Sequence, residues 1–484
     1  MLFNSLEFLG FFSIFFFIYW LVFKKHLMAQ NLFLLLGSYA FYVWWDWRFL
    51  LLIIGSSILN YILGIQIQKR ENIKTKRWLV GLSILHGIGL LILFKYADFF
   101  ITSFVDLSRS LGFKANLHTL NLILPLGISF YTFRTLSYIL DIYKNKIQAT
   151  TNWVTFFSYV AFFPSLISGP IDRASALIPQ LEKKRNFDPS QMSDALRQIL
   201  WGLFKKMVIA DNCAALTNQI FDNYLTYPAS SLVLGAFFFT IQVYADFSGY
   251  SDMAIGVARL LGFNVSRNFN YPFFSQTIAE FWQKWHISLT SWMTDYVFAP
   301  LNIAFRDYGN LGLILAILLN FLAVGIWHGA NWTFLFYGFI QACLFVPMIL
   351  RGTLFKKKKF QKDRIWPTFG ELKNMLITFI LIMLSNVIFR VDKISQGFDY
   401  LKRIVSTSLF SIPEITNNRT NAIIALIFIA LLILVEWLQR HKEHGLEISY
   451  IKKMPLRFGI YYAVIFCIIY FGASGNNQFI YFKF

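Results

Sequence analysis

Apolar stretches long enough to cross a bilayer recur along most of this chain, and no other feature restricts its fold so strongly. Residues 11–23, 32–43, 49–67, 78–94, 120–142 and 311–326 are clear examples. A helix needs about twenty apolar residues to span hydrocarbon, and only helices or closed barrels satisfy their backbone polar groups there. Windows along the sequence give roughly eleven spans, with several segments short enough to be re-entrant. With 57% hydrophobic and only 14% charged residues, the chain has more apolar surface than a water-soluble domain hides. The expected fold is all-α, a polytopic transmembrane helical bundle.

A net charge of +19 would suggest nucleic acid in a soluble domain, but here the basic residues cluster in short breaks between apolar runs. Lys69-Arg70 through Lys76-Arg77, Lys356 to Lys359 with Lys362 and Arg364, and Arg440 to Lys453 are the strongest clusters. Cytoplasmic loops carry such an excess, so nucleic acid is not an expected partner. Setting these clusters and Lys24-Lys25 inside places the N-terminus, the loops around Asp46 and Asp106, and the tail after Phe471 outside. The first run has no basic residue before it and no small-residue cleavage pattern after it, which reads as a retained helix. Cys213, Cys343 and Cys467 lie far apart in apolar sequence and read as packing residues. Residues 1–484 are expected to form one membrane domain, with N-terminal helices in 1–119, a core in 120–350, and C-terminal helices with an extracytoplasmic tail in 351–484.

The central third, from Pro125 to Trp332, interrupts its apolar runs with Gly, Pro, Ser, Asp, Arg and His. Such groups survive at membrane depth where protein or a water-filled cavity surrounds them, so a functional cavity is expected here. Of seven histidines, His26, His118, His441 and His444 fall in polar loops, and His86 in a plain apolar helix reads as a packed or hydrogen-bonded residue. His328 ends an apolar helix that opens into Gly329 and Asn331, where burial favours the neutral imidazole able to take a proton from a hydroxyl. His286 lies in Glu280-Phe-Trp-Gln-Lys-Trp-His286, read on its own as an amphipathic interfacial helix with Trp282, Trp285 and Trp292, and with Glu280 and Lys284 paired one turn apart. No ligand spacing links the histidines, so no metal site is expected. In Phe163 to Arg173, Asp172-Arg173 reads as an ion pair, and in Tyr244 to Asp252, Asp246 and Asp252 read as helix caps at a break around Gly249.

Taken together, Trp327-His328-Gly329, Glu280 to His286, Ser168-Gly-Pro-Ile-Asp-Arg173 and Asp246-Phe-Ser-Gly-Tyr-Ser-Asp252 resemble, in content and order, the membrane-bound O-acyltransferase family. Pro125-Leu-Gly-Ile-Ser-Phe-Tyr131, Gly202-Leu-Phe-Lys-Lys206 and Phe479-Ile-Tyr-Phe-Lys-Phe484 look most like its alginate O-acetyltransferase branch. Peptidoglycan O-acetyltransferases and teichoic acid D-alanyl transfer proteins share much of the pattern. One departure is Thr294, where many relatives carry arginine before the aspartate, here Asp295.

The resemblance implies a bundle around a central tunnel in a bacterial cytoplasmic (inner) membrane, with His328 as the principal catalytic residue and His286 nearby. It implies an acyl donor from the cytoplasmic side, acetyl-CoA with no bound cofactor, an extracytoplasmic polysaccharide acceptor, and an esterase-like periplasmic or extracellular partner. Trp327, Trp285, Asn331, Asp246, Asp172 and Arg173 are the expected substrate-binding residues, with Asn331 a donor to the developing oxyanion. Tyr481, in the aromatic tail, is an expected acyl relay whose phenol would accept the group and hand it on. A transporter or flippase of lipid-linked sugars is the rival class, since it too needs many spans and buried polar residues.

Overall fold

The computed structural model describes residues 1–113, 115–356, 364–415, 419–473 and Phe479. Every regular element among them is a helix. Eight helical segments are long and apolar enough to cross a bilayer: Trp47–Lys69, Ile73–Ser110, Ala229–Leu260, Arg306–His328, Trp332–Leu350, Phe369–Arg390, Arg419–Leu438 and Met454–Phe471. Leu6–Leu21 and Leu27–Val43 are shorter apolar helices. The run at 120–142 is irregular up to Pro125, so its helix covers only Ile128–Tyr143. The expectation that the central third departs from simple spanning is met by short helices such as Trp153–Val160, Ala174–Leu181, Ile278–Lys284 and Ile287–Met293.

The chain divides into two compact units, Met1–Ala195 with Ala254–Ser266, and Leu196–Met253 with Arg267–Phe484. In the first, helices Leu50–Lys69, Ile73–Leu91 and Ile128–Tyr143 pack on one another, and Leu27–Val43 packs on Trp153–Val160. Side chains tie remote segments together where backbone groups end. The Tyr19 hydroxyl donates to the Leu261 carbonyl at 3.0 Å and the Trp20 indole to that of Leu260 at 2.9 Å. Arg185 donates to Gln30 Oε1 at 2.8 Å and Asn31 Oδ1 at 2.7 Å, stacked over the Phe263 ring. His86 Nε2 bonds to Ser56 Oγ at 2.9 Å, the hydrogen-bonded histidine expected there.

The second unit is built on a hairpin of Gly309–His328 and Trp332–Leu350. Small residues let its backbones close. A Cβ at Gly325 would collide with the Phe334 carbonyl, and one at Gly338 with that of Phe321. Phe369–Arg390 packs on the second arm, and Ile394–Ile404 on Phe369–Arg390. Arg419–Leu438 and Met454–Phe471 pack against a π-helical turn at Phe204–Ala210.

Candidate active site

The hairpin fixes His328 at the last position of its first arm, just before the backbone turns extended at Gly329. His328 is buried, with its ring 5.0 Å from Trp327, 5.1 Å from Phe389 in a perpendicular contact, and 6.4 Å from Tyr337. Trp327 meets a second imidazole on another segment, the ring of His286 at 5.5 Å. Two buried histidines therefore flank one indole inside an aromatic enclosure.

His286 is held in an unusual way. The sequence pattern suggested one interfacial helix from Glu280 to Trp292, and that expectation is corrected. The helix breaks at His286, which adopts the left-handed conformation (φ 43°, ψ 54°) between Ile278–Lys284 and Ile287–Met293. A residue with a Cβ pays about 1 kcal/mol or more for this conformation, so the surroundings must impose it. Asn268 does so. Its main-chain carbonyl accepts from Ile287 N at 2.9 Å, while its Oδ1 lies 2.9 Å from His286 Nδ1 and 3.0 Å from Ser288 Oγ. The Asn268 amide nitrogen is itself held by Ser251 Oγ at 3.2 Å. An amide oxygen only accepts, so Nδ1 of His286 carries the proton and the lone pair of the neutral ring lies on Nε2. Burial, with a smaller contribution from His328, holds the His286 pKa well below the usual histidine range.

The tryptophans expected at a membrane interface are buried instead. Trp285 stacks with Phe281 at 5.3 Å and meets Phe269 edge-on at 5.1 Å, and Trp282 donates to Gln341 Oε1 at 3.2 Å. Their rings wall the segment that presents His286. The Glu280–Lys284 pair forms as expected, at 2.7 Å.

Asp246 and Asp252 are not caps at a break, because Ala229–Leu260 runs through Gly249 as one helix. Gly249 is needed for close approach, since a Cβ there would strike the Gly202 carbonyl, and one at Gly202 the Gly249 carbonyl. That approach brings two lysines onto the helix. Lys206 lies between Asp246 at 2.9 Å and Asp211 at 2.8 Å, while Lys205 pairs with Asp252 at 2.6 Å and donates to Ser248 at 2.9 Å. Buried charge persists only when paired in this way. Phe247, next to Asp246, packs on the His286 ring at 4.6 Å, so the ionic network sets the wall of the histidine site from behind. Phe479 is buried at 5.9 Å from Phe247 and 4.8 Å from Tyr250, on the same wall. Tyr481 lies outside the described residues.

Asn331 has both ends of its amide in structural bonds. It caps Trp332–Leu350 by accepting from Thr333 N at 3.0 Å, and it donates to the Asp392 carbonyl at 3.1 Å. Asp172 and Arg173 belong to the other unit. Asp172 accepts from Ser266 N at 2.8 Å and also from the Ser266 hydroxyl, and Arg173 occupies the cap position of Ala174–Leu181. The cation facing Asp172 electrostatically includes Arg134, a fully buried residue not singled out in the sequence. Arg134 also donates to the carbonyls of Val160 at 3.3 Å and Ser165 at 3.0 Å and to the Ser165 hydroxyl. The structure thus gathers His286, Trp327 and His328 into one site and gives Asn331 and Asp172 bonds that hold the fold.

Comparison with known proteins identifies the family of the chain. The membrane-bound O-acyltransferase family profile matches residues 39–389, which include both histidines. The chain belongs to that family. It is 36% identical over 400 residues to a probable alginate O-acetylase of Pseudomonas aeruginosa, covering 81% of this chain and 72% of that protein. It is 31% identical to a peptidoglycan O-acetyltransferase of Helicobacter pylori, covering 82% and 77% of the two chains. A teichoic acid D-alanyltransferase of Streptococcus thermophilus is 30% identical over 54% of this chain and 68% of its own. The protein is a multi-pass membrane O-acyltransferase.

Proposed function

We propose that this O-acyltransferase moves an acetyl group from acetyl-CoA on the cytoplasmic side of a bacterial inner membrane to hydroxyls of an extracytoplasmic polysaccharide of the alginate type. The observation that carries the reading is the pair of buried histidines around Trp327, within the stretch 39–389 that the family profile matches. A charged thioester and a hydrophilic glycan cannot meet in hydrocarbon, so a protein-lined route must bring one carbonyl carbon to one hydroxyl. His328 takes the proton of the acceptor hydroxyl as its oxygen attacks the thioester carbonyl. The resulting intermediate collapses by breaking the C–S bond, and the imidazolium returns the proton to the departing sulfur. General base action of this kind contributes about a hundred- to ten-thousand-fold in rate.

His286, fixed through Nδ1 by Asn268, positions the acceptor through its other nitrogen. Trp327 keeps both rings in place and excludes water. The amide contacts of Asn331 support a capping role, and the reading therefore assigns the oxyanion to other donors. A soluble esterase-like partner outside the membrane completes transfer to polymer, with Tyr481 as the relay that the tail would present. The higher identity to alginate O-acetylases than to the peptidoglycan and teichoic acid enzymes favours an alginate-type acceptor.

Purified protein in nanodiscs, supplied with labelled acetyl-CoA, membranes of the producing cell and each of the three polymers in turn, tests this. Thioester consumption with label on an alginate-type polymer, lost in His328→Ala at matched folding, is the expected result. Label on peptidoglycan instead would replace the acceptor, use of a D-alanyl carrier thioester would replace the donor, and unchanged transfer by His328→Ala would remove the mechanism.

A further inference from the structure

A cavity of about 720 Å³ opens in the second unit between Phe369–Arg390, Arg419–Leu438 and the turn at Pro272–Phe274. Its walls are almost wholly apolar, with Phe273, Leu376, Phe379, Ala430, Leu434 and Trp437 among them. Leu376, Leu434 and Trp366 are exposed, so the slot opens outward from the protein. One end is different in character. Trp437, in the last turn of its helix, donates its indole N–H to the Ile365 carbonyl at 2.9 Å. The Arg440 guanidinium lies 4.6 Å over the Trp437 ring and donates to the carbonyls of Trp437 at 2.8 Å and Arg364 at 2.6 Å.

These contacts set Arg440 beside the Arg364 backbone, next to the two indoles Trp366 and Trp437 that edge the slot. Basic residues with tryptophan at the end of a span mark the membrane–water boundary, and the charge bias of the loops places this end on the cytoplasmic side. An apolar slot with a cationic mouth at that depth matches one chemistry, an acyl chain joined to an anionic headgroup. We infer that the slot binds one anionic glycerophospholipid of the cytoplasmic leaflet, with an acyl chain along Phe379 and Leu434 and its phosphate at Arg440 and Arg364. A neutral lipid would fill the same space by dispersion alone, so the arginines distinguish a site from ordinary lipid contact.

The test is native mass spectrometry of the full chain after exchange into equimolar phosphatidylglycerol and phosphatidylcholine, counting retained lipids of each kind. Wild type should retain one phosphatidylglycerol with a preference on the order of tenfold, as expected from two basic residues at the headgroup. Arg440→Gln combined with Arg364→Gln should lose that preference while still retaining lipid, whereas Arg440→Lys with Arg364→Lys should keep it. Ala430→Phe, at an exposed position lining the slot, should lose the retained molecule of either kind. An unchanged preference in the glutamine variant, or unchanged retention in Ala430→Phe, would overturn the inference. Thermal unfolding of each variant confirms that a loss of lipid is not a loss of fold.

Discussion

Two buried polar regions, one in each unit, use their hydrogen bonds in opposite ways. Around Arg134, the guanidinium serves the carbonyls of Val160 and Ser165, and Asp172 serves the amide and hydroxyl of Ser266. Polar atoms there close chain ends in a stretch of short helices that cannot satisfy themselves. Around Trp327, the polar atoms named are on two imidazoles, and aromatic rings form the walls. Asn268 fixes one of those imidazoles from the side remote from its lone pair. The first region joins chain ends through polar atoms, whereas the second holds its two imidazoles largely by packing rings on rings.

The sharpest way to break this contrast is to remove one residue from each region and ask which property falls. His328→Ala should reduce label transfer by roughly a hundred- to ten-thousand-fold while the thermal midpoint changes little. Arg134→Met should do the reverse. Deserting several buried carbonyls and a buried carboxylate costs about 3–5 kcal/mol, read as poor accumulation or a large drop in thermal midpoint. If Arg134→Met folded normally and lost only transfer, the first region would be catalytic and the contrast would fail. Asn268→Ala sits between them, because it removes the bonds to the His286 ring and the Ser288 hydroxyl while leaving the aromatic walls of the site in place. A fall in kcat of roughly ten- to a hundredfold is expected, with KM for the thioester little changed and partial recovery in Asn268→Asp, which keeps an acceptor. Equal loss in both variants would make Asn268 merely structural. Glu280→Gln should shift stability by about 1 kcal/mol or less and leave transfer intact, since its ion pair is part-exposed and glutamine keeps an oxygen for the Gln276 amide. A large effect would extend the site to that ion pair.

The membrane architecture was legible because hydropathy acts over whole segments, and the buried helix-end position of His328 was legible because it ends an apolar run at Gly329. His286 was harder to interpret. Glu280 to Trp292 has helical spacing throughout, and neither glycine nor proline announces the break. The left-handed turn comes from Asn268, eighteen positions upstream, which local pattern cannot see. Gly249 misled for a related reason. It looked like a breaker, but it is an approach point whose partner, Gly202, lies on another helix. Arg134 sits in Ile128–Tyr143 without any neighbouring acid to flag it, and only the fold brings Asp172 into its field.

The π-helical turn at Phe204–Ala210 has a further consequence. Such a turn is in effect one surplus residue wound into an α-helix. The adjacent lysines at 205 and 206 lie within it and serve different carboxylates, Asp252 for one and Asp246 with Asp211 for the other. Removing a single residue there would restore regular winding and shift the lysines inside the turn relative to the helix on either side. Both lysines would then be out of phase with their partners. The length of this stretch is therefore tied to the positions of three carboxylates, Asp211, Asp246 and Asp252.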